Sequence, residues 1–251
     1  MLVEAVKTRV LHPPKDDLLE AISGSKIFLR ERDVVAVTSK VVSIWQGRCI
    51  PQESVEDKDE LIKQESEQYL ERENVPGEYV IFTLKQNLLV PSAGIDASNA
   101  SEHYILWPER VMETARELCA WFKKTYSIKE LGVIITDSHS TPFRRGIVGI
   151  GLAWAGFDPL YDYRQTPDLF GRTLLISQTN VADSLAATAV LAMGEGDEQT
   201  PLAALRDIPR IFFTENYSSV PGNSFVVPLA EDIYAPFYSK VSWKKGGQYQ
   251  R

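Results

Sequence analysis

Short apolar runs, rich in β-branched and aromatic residues, predict the strands of this chain. Residues 33–38 and 79–84 each crowd such side chains between polar or turn residues. Residues 132–136 are equally apolar and also predict a strand. Each run is only five or six residues long, which is the usual length of a strand in a globular domain.

A highly charged stretch lies between the first two predicted strands. Residues 56–73 carry many acids and bases, and Leu61, Ile62 and Leu70 are spaced as the inward side of a helix. We therefore expect one helix over 56–73 with a solvated outer face.

Two further helices are predicted from their end signals. Residues 108–122 begin with proline and acids and are followed by Lys123 and Lys124, which suits the helix dipole. Residues 180–193 are rich in alanine and leucine and stop at Gly194. Glu195 should then lie just beyond a helix end, where a ligand can reach it.

Three polar, glycine-containing segments carry the candidate chemistry. They are Ser92-Ala-Gly-Ile-Asp-Ala-Ser-Asn99, Ile134-Ile-Thr-Asp-Ser-His-Ser-Thr-Pro-Phe-Arg-Arg-Gly146 and Met193-Gly-Glu-Gly-Asp-Glu-Gln-Thr-Pro201. In each, an apolar run ends abruptly in carboxylates, hydroxyls and glycine, which is where scaffolds usually place functional groups. Hard divalent cations prefer such oxygen ligands.

These segments, in this order, resemble the signatures of the coenzyme F420-0:γ-glutamyl ligase family. The supporting motifs are Ala93-Gly-Ile-Asp-Ala-Ser-Asn99, Val133-Ile-Ile-Thr-Asp137 with Phe143-Arg-Arg-Gly146, Asp168-Leu-Phe-Gly-Arg172, Val181-Ala-Asp183 and Met193-Gly-Glu-Gly196. The resemblance implies an enzyme that attaches glutamate to a substrate carboxylate with a nucleoside triphosphate and two divalent metal ions, Mg or Mn. It also implies an α+β fold of two subdomains in an intertwined homodimer. We expect a ligase-like domain at residues 1–210 and an aromatic-rich C-terminal extension, 211–251, packed on it.

The proposed reaction explains why acids are needed. Joining an amine to a free carboxylate is uphill in water, so a ligase first phosphorylates the carboxylate, and this gathers negative charge that divalent cations offset. Asp96, Asp137 and Glu195 are the anionic candidates. The resemblance assigns metal binding to these three and to Ser138, which stands where the family has threonine. Taken alone, Asp96 and Asp137 would read as turn or cap residues and Glu195 as a surface acid.

We expect the nucleotide to contact residues from four segments: Leu11, Ser39, Lys40, Asn99, Met193, Gly194 and Gly196. The sequence departs from the family after Val41-Val-Ser43, where the family has Lys-Ala-Glu-Gly-Arg and this chain has Ile44-Trp-Gln-Gly-Arg48. Lys40 is the candidate substitute for the missing cation. The base-contacting element is represented only by Leu11-His-Pro-Pro14, so either GTP or ATP fits this expectation.

Three residues beyond Asp137 are candidate catalytic groups. Arg144 and Arg145 suit bidentate recognition of a carboxylate or phosphate, and an ion pair with a neighbouring acid is the alternative for each. His139, on a polar loop, is a candidate acid, base or ligand, whereas simple solvation is the commoner state.

Composition narrows the partners without naming them. The 251-residue chain has 44% hydrophobic content and a net charge of −7, which argues against nucleic acid but not against a small nucleotide. Cys49 and Cys119 predict neither a disulfide framework nor a zinc site. No apolar stretch is long enough to cross a membrane and the N-terminus lacks a basic signal region, so we expect a cytoplasmic protein.

The acceptor is the least determined part of the prediction. The C-terminal aromatics, from Phe212 to Trp243, depart from the deazaflavin enzymes and could stack on a pterin ring or simply pack on the protein. Our main hypothesis is a folate-directed γ-glutamyl ligase that works through an acyl phosphate. The alternatives are the same chemistry on F420-0, and a nucleotide-binding homologue without ligase activity.

Overall fold

The computed structural model describes residues 1–215 and 225–247. The strands are β1 (Leu2–Val6), β2 (Val34–Thr38), β3 (Cys49–Pro51), β4 (Gln68–Leu70), β5 (Phe82–Lys85), β6 (Leu88–Pro91), β7 (His103–Ile105), β8 (Gly132–Ser140), β9 (Ile147–Ala155), β10 (Leu160–Asp162), β11 (Gln178–Asn180), β12 (Leu202–Arg206) and β13 (Lys244–Lys245). The helices are α1 (Leu18–Ser23), α2 (Ser39–Gln46), α3 (Lys58–Glu65), α4 (Val111–Tyr126), α5 (Val181–Met193) and α6 (Ala235–Tyr238).

A five-stranded mixed sheet forms the larger part of the fold, in the order β1-β12-β2-β8-β9. Only β2 and β8 run parallel, with Thr38 opposite Thr136, and the other neighbours are antiparallel. The central strands are almost wholly apolar because helices cover both faces of the sheet. The α+β class implied by the resemblance is thus confirmed.

Alternate residues of the central strands feed two separate cores. Val35, Val37, Val133 and Ile135 face a core shared with α1, α2 and α4. Val34, Ala36 and Ile134 face the opposite core, which α5 completes. The period of two along the strands therefore places one helical layer on each side.

A smaller antiparallel sheet, β13-β4-β5-β6, and the pair β3-β7 are built mainly from residues 49–105. A third buried cluster belongs to this region: Ile62, Ile81, Ala93, Ile95 and Leu106. The ends of this region approach the large sheet beside β2 and β8, and this placement builds the cavity described below.

Several predicted boundaries were wrong. The expected helix over 56–73 ends at Glu65, because Ser66 is extended and residues 68–70 pair with β5 as a strand. Pro108 lies outside its predicted helix, since Arg110 adopts a left-handed conformation just before Val111, and that helix continues to Tyr126.

Two predicted strands also shift. The strand expected at 79–84 begins only at Phe82, because a turn at Gly77 leaves Tyr79 exposed. The strand expected at 132–136 runs on to Ser140 by pairing with β9. His139 therefore lies in a strand opposite Val148 rather than on a polar loop.

The described C-terminal residues contact both parts of the protein. Phe225 packs edge-to-face on Trp154, with ring centroids 4.6 Å apart, and β13 pairs with β4. Trp243 donates its indole N–H to the carbonyl of Tyr238 at 3.1 Å. Both cysteines are free. Among the described residues, no helix combines the length and apolarity needed to span a membrane.

Candidate active site

Sheet topology brings the candidate segments to one edge. Because β2 and β8 are parallel and paired as far as Thr38 and Thr136, Ser39–Lys40 and Asp137–Ser138 lie side by side where this pairing ends, although β8 itself continues to Ser140. Strand β12 starts at the same edge, with Leu202 opposite Val37, so the loop from Gly194 to Pro201 arrives there too. The amide of Thr38 donates to the carbonyl of Pro201 at 3.0 Å and ties this loop to β2.

This edge forms one wall of a cavity of about 480 Å³, and the smaller region supplies the other wall through Gly94, Asp96, Asn99 and Trp107. All of the predicted metal and nucleotide residues line it: Leu11, Ser39, Lys40, Asp96, Asn99, Asp137, Ser138, Met193, Gly194, Glu195 and Gly196. Its volume suits a ligand of nucleotide size. The structure therefore brings together residues from five separate segments of the chain.

Asp96 is held as a carboxylate by a lysine and a tight turn. Its Oδ2 lies 2.7 Å from the ammonium of Lys40, and its Oδ1 accepts from the amide of Ser98 at 2.7 Å. Burial by itself would raise the pKa of Asp96, but Lys40 and the two hydrogen bonds from Ser98 outweigh it, so the pKa lies below its usual value. Asp96 is therefore an ionised carboxylate on the cavity wall and can bind a cation.

Asp137 shows the opposite balance. Burial is the main cause that raises its pKa to about 6, and the nearby charge of Asp96 acts in the same direction. The carboxylate accepts hydrogen bonds from the amide of Ser138, at 2.8 Å, and from the indole N–H of Trp107. These donors keep the carboxyl oriented toward the cavity, where added positive charge would favour its ionised form.

Trp107 itself is fixed by its surroundings and is 2% exposed. The backbone of Gly94, with φ +71°, packs directly against the indole, and a Cβ at this position would overlap the indole nitrogen. The ammonium of Lys85 lies 5.8 Å from the centre of the Trp107 ring, and Arg48 donates to the Trp107 carbonyl at 3.3 Å. Sequence reasoning missed Trp107. The available signal was the glycine of the Ala-Gly-Ile-Asp motif, which indicates that another group packs closely against the backbone there.

Glu195 lies in the loop that follows α5. Burial raises its pKa, with Asp96 and Glu198 adding to the effect, while a hydrogen bond from the Ser138 hydroxyl and the charge of Lys40 oppose it. Asn99 donates to the carbonyl of Gly196 at 2.8 Å and joins this loop to the opposite wall. The amide of Gly196 donates to the carboxylate of Glu198 at 2.8 Å.

The donor set suits a divalent cation in kind. Asp96, Asp137, Glu195 and the Ser138 hydroxyl offer only oxygen, as Mg²⁺ and Mn²⁺ prefer. Within residues 1–215 and 225–247, however, no three His, Cys, Asp or Glu side chains lie close enough together to hold a metal ion. The acids thus share a cavity without forming a finished cage, and Lys40 supplies the positive charge beside Asp96.

The three predicted catalytic residues lie elsewhere. Arg144 and Arg145 are exposed in the turn between β8 and β9 and do not line the cavity. His139 is half-buried on β8, where burial lowers its pKa although Asp183 partly opposes this. None of the three lines the cavity.

Comparisons with known proteins identify the family of the chain. The family model described as F420-0:Gamma-glutamyl ligase matches residues 6–207. The chain is 34% identical over 212 residues to the coenzyme F420:L-glutamate ligase of Methanopyrus kandleri, covering 78% of this chain and 82% of that protein. It is 32% identical to the enzyme of the same name from Archaeoglobus fulgidus, over 77% of this chain and 82% of the relative. A relative of that name from Methanococcus maripaludis strain C7 is 28% identical over its whole length and 93% of this chain.

Proposed function

The chain belongs to the F420-0:γ-glutamyl ligase family, whose members form γ-glutamyl bonds, and we propose that it joins L-glutamate to the carboxylate of a coenzyme F420-type acceptor. The observation that carries the proposal is the meeting of Asp96, Asp137, Ser138 and Glu195 around one cavity. Burial and the negative charge of Asp96 raise the pKa values of Asp137 and Glu195, and carboxyl groups with shifted pKa values in one cavity are typical of functional sites.

The relatives favour F420-0 over our main hypothesis of a folate acceptor. All three relatives described above are named for coenzyme F420. The described C-terminal aromatics do not line this cavity, whose lining residues lie between Thr8 and Pro201. Folate therefore becomes the competing outcome of the test.

The chemistry runs in two balanced steps. A carboxylate oxygen of the acceptor attacks the γ-phosphorus of GTP or ATP, and the nucleoside diphosphate leaves. The amine of glutamate then attacks the acyl carbon, phosphate leaves with that oxygen, and the amine loses a proton. Both steps concentrate negative charge, so the site must supply positive charge and fixed orientation.

The chain's own residues divide this work. Lys40 lines the cavity and would bind phosphate oxygens, whereas the amides of Gly194 and Gly196 already donate to the Val190 carbonyl and the Glu198 carboxylate. Asp96, Asp137, Ser138 and Glu195 would hold two divalent metal ions. When bound, such ions neutralise phosphate charge and align the attacking and leaving oxygens.

The test is a product-mass assay with purified protein, glutamate, GTP or ATP, Mg²⁺ or Mn²⁺, and either F420-0 or a reduced folate. A glutamate-sized mass increase on F420-0 supports the proposal. A mass increase on folate alone would identify folate, not F420-0, as the acceptor. Nucleotide binding without either product favours a non-catalytic homologue.

Asp137→Asn should abolish the product. Asp162→Asn is the matched control, because Asp162 pairs with Arg164 on the surface and does not line the cavity. Full turnover by Asp137→Asn would show that Asp137 is not required for the reaction.

A further inference from the structure

The ammonium of Lys40 lies in a pocket of oxygen atoms. Its Nζ is 2.7 Å from Asp96 Oδ2, 3.0 Å from the Ser98 carbonyl oxygen and 3.0 Å from the Ser98 hydroxyl. The Asp96 carboxylate is in turn fixed by the Ser98 amide and hydroxyl. Three converging oxygens, one of them charged, form the kind of environment that also binds a hard metal cation.

We propose that Lys40 is an exchangeable counterion: it neutralises Asp96 in the free protein and yields that carboxylate to a divalent cation when nucleotide phosphates enter. This inference rests on the proposed function, because it requires both a cation and a nucleotide in the cavity. It concerns the order and coupling of their binding, which membership of the family does not determine.

The surroundings of Lys40 favour such an exchange. The side chain is 24% exposed and Asp96 is 43% exposed, so this pair is not locked in the core and can separate at modest cost. Lys40 lies in the first turn of α2, beside Ser39, and lines the same cavity as the loop from Gly194 to Pro201. A small rotation of its flexible side chain can therefore redirect the ammonium from Asp96 toward a bound phosphate.

The position of Ile44 strengthens the argument. This residue is 2% exposed and apolar, although it lines the cavity one helical turn beyond Lys40. Arg9, also on the cavity wall, already pairs with Asp16 and Glu20. Among the described cavity residues, Lys40 is thus the cation that directly contacts a proposed metal ligand, and it can serve phosphate only by releasing Asp96.

Exchange predicts coupled binding. In the free protein a divalent cation must displace Lys40, which weakens its affinity, whereas phosphate draws the lysine away and removes that competition. By linkage, the cation must increase nucleotide affinity by the same factor. Each ligand should therefore bind better in the presence of the other.

The experiment measures Mn²⁺ affinity from the electron paramagnetic resonance signal of free Mn²⁺, with and without non-hydrolysable GTP or ATP analogue. Without nucleotide, Lys40→Met should bind Mn²⁺ roughly tenfold more tightly than wild type, as for loss of a competing charged hydrogen bond. The nucleotide-induced gain in Mn²⁺ affinity should shrink by a similar factor in the variant.

Arg9→Met is the matched control, because it removes another positive charge from the cavity wall without touching Asp96. An equal gain in Mn²⁺ affinity for both variants would indicate a general field effect and overturn the exchange. Unchanged Mn²⁺ affinity in Lys40→Met, or no Mn²⁺ binding to any of these proteins, would also overturn it. Thermal melting of each variant verifies that it is folded.

The same samples separate this inference from the proposed function. If wild type forms the ligation product but Lys40→Met binds Mn²⁺ no more tightly than wild type, the proposed ligase function stands and the counterion exchange is refuted. The predicted Mn²⁺ pattern without product on any acceptor supports the exchange and refutes the ligase.

Discussion

Gly94 offers the sharpest test of how the site is held in shape. Its φ of +71° is unfavourable for any residue with a Cβ, and an added Cβ would also overlap the indole of the buried Trp107. We expect Gly94→Ala to strain the turn and to push the Trp107 N–H away from Asp137. Stability and site geometry should therefore fail together.

Two other glycines serve as controls that separate the steric clash with Trp107 from backbone strain in the cost of Gly94→Ala. Gly146 and Gly171 also have positive φ, at +91° and +80°, but nothing lies within 4 Å of a Cβ added at either position. Alanine at these controls should cost about 1 kcal/mol from backbone strain alone. At Gly94 the overlap adds ~1–3 kcal/mol and loss of a hydrogen bond to a charged group adds ~1.5–3 kcal/mol.

Urea unfolding followed by circular dichroism measures these differences. The free energy of unfolding should fall about 3 kcal/mol or more further for Gly94→Ala than for either control, since the clash and hydrogen-bond losses add to the shared strain. A difference below ~1 kcal/mol between Gly94→Ala and both controls would mean that Trp107 can move aside freely, and would refute the proposed rigid contact.

Three further predictions address neighbouring groups. Trp107→Phe keeps an aromatic side chain, smaller than the indole, and removes the N–H donor, so Mn²⁺ titration should show a tenfold to hundredfold loss of affinity, roughly the effect of removing a hydrogen bond to a metal ligand; unchanged affinity would contradict this. Because the pKa of Asp137 is raised to about 6, the metal-free native state keeps a proton that the unfolded chain releases. Stability contributed by that proton is present at low pH and is lost as the pH rises from about 4 to about 6, so the free energy of unfolding of wild type should fall relative to that of Asp137→Asn over this range; a flat difference in urea titrations would refute it. Glu65→Ala removes a carboxylate bound by Arg48 and the fully buried Lys85 and should cost ~3–5 kcal/mol in urea unfolding, whereas Glu60→Ala, from an exposed pair on the same helix, should cost less than ~1 kcal/mol; similar costs would contradict the difference in burial.

Sequence signals predicted a secondary-structure element correctly where the element depends only on its own residues. The alanine-rich helix ends at Met193 with Gly194 as its cap, as expected from the sequence, because both its apolar content and its stop signal are local. The charged stretch 56–73 misled us for a different reason. Residues 68–70 in its second half form a strand because they pair with β5, and such pairing depends on residues outside the stretch.

Asp137 shows the same limit at the site. Its apolar run predicted a strand that stops before the aspartate, yet pairing with Ile150 carries β8 through Asp137 to Ser140. The motif identified the residue, but only the sheet shows that its backbone is fixed by a neighbour. A strand position orients a carboxylate more rigidly than a loop would.

The missed residue, Trp107, explains why motif reading finds the groups at a site more easily than their supports. Trp107 lies 30 positions before Asp137, between Leu106 and Pro108, and belongs to none of the three polar, glycine-containing segments. Its role arises because the smaller region places Gly94 and the indole beside the point where the pairing of β2 with β8 ends. Glycine at that position leaves room for the ring, and the ring supplies the donor that Asp137 needs in a buried environment. The Ala-Gly-Ile-Asp motif therefore contributes to both acids: Asp96 as a ligand in its own right, and Gly94 as the space that lets Trp107 orient Asp137.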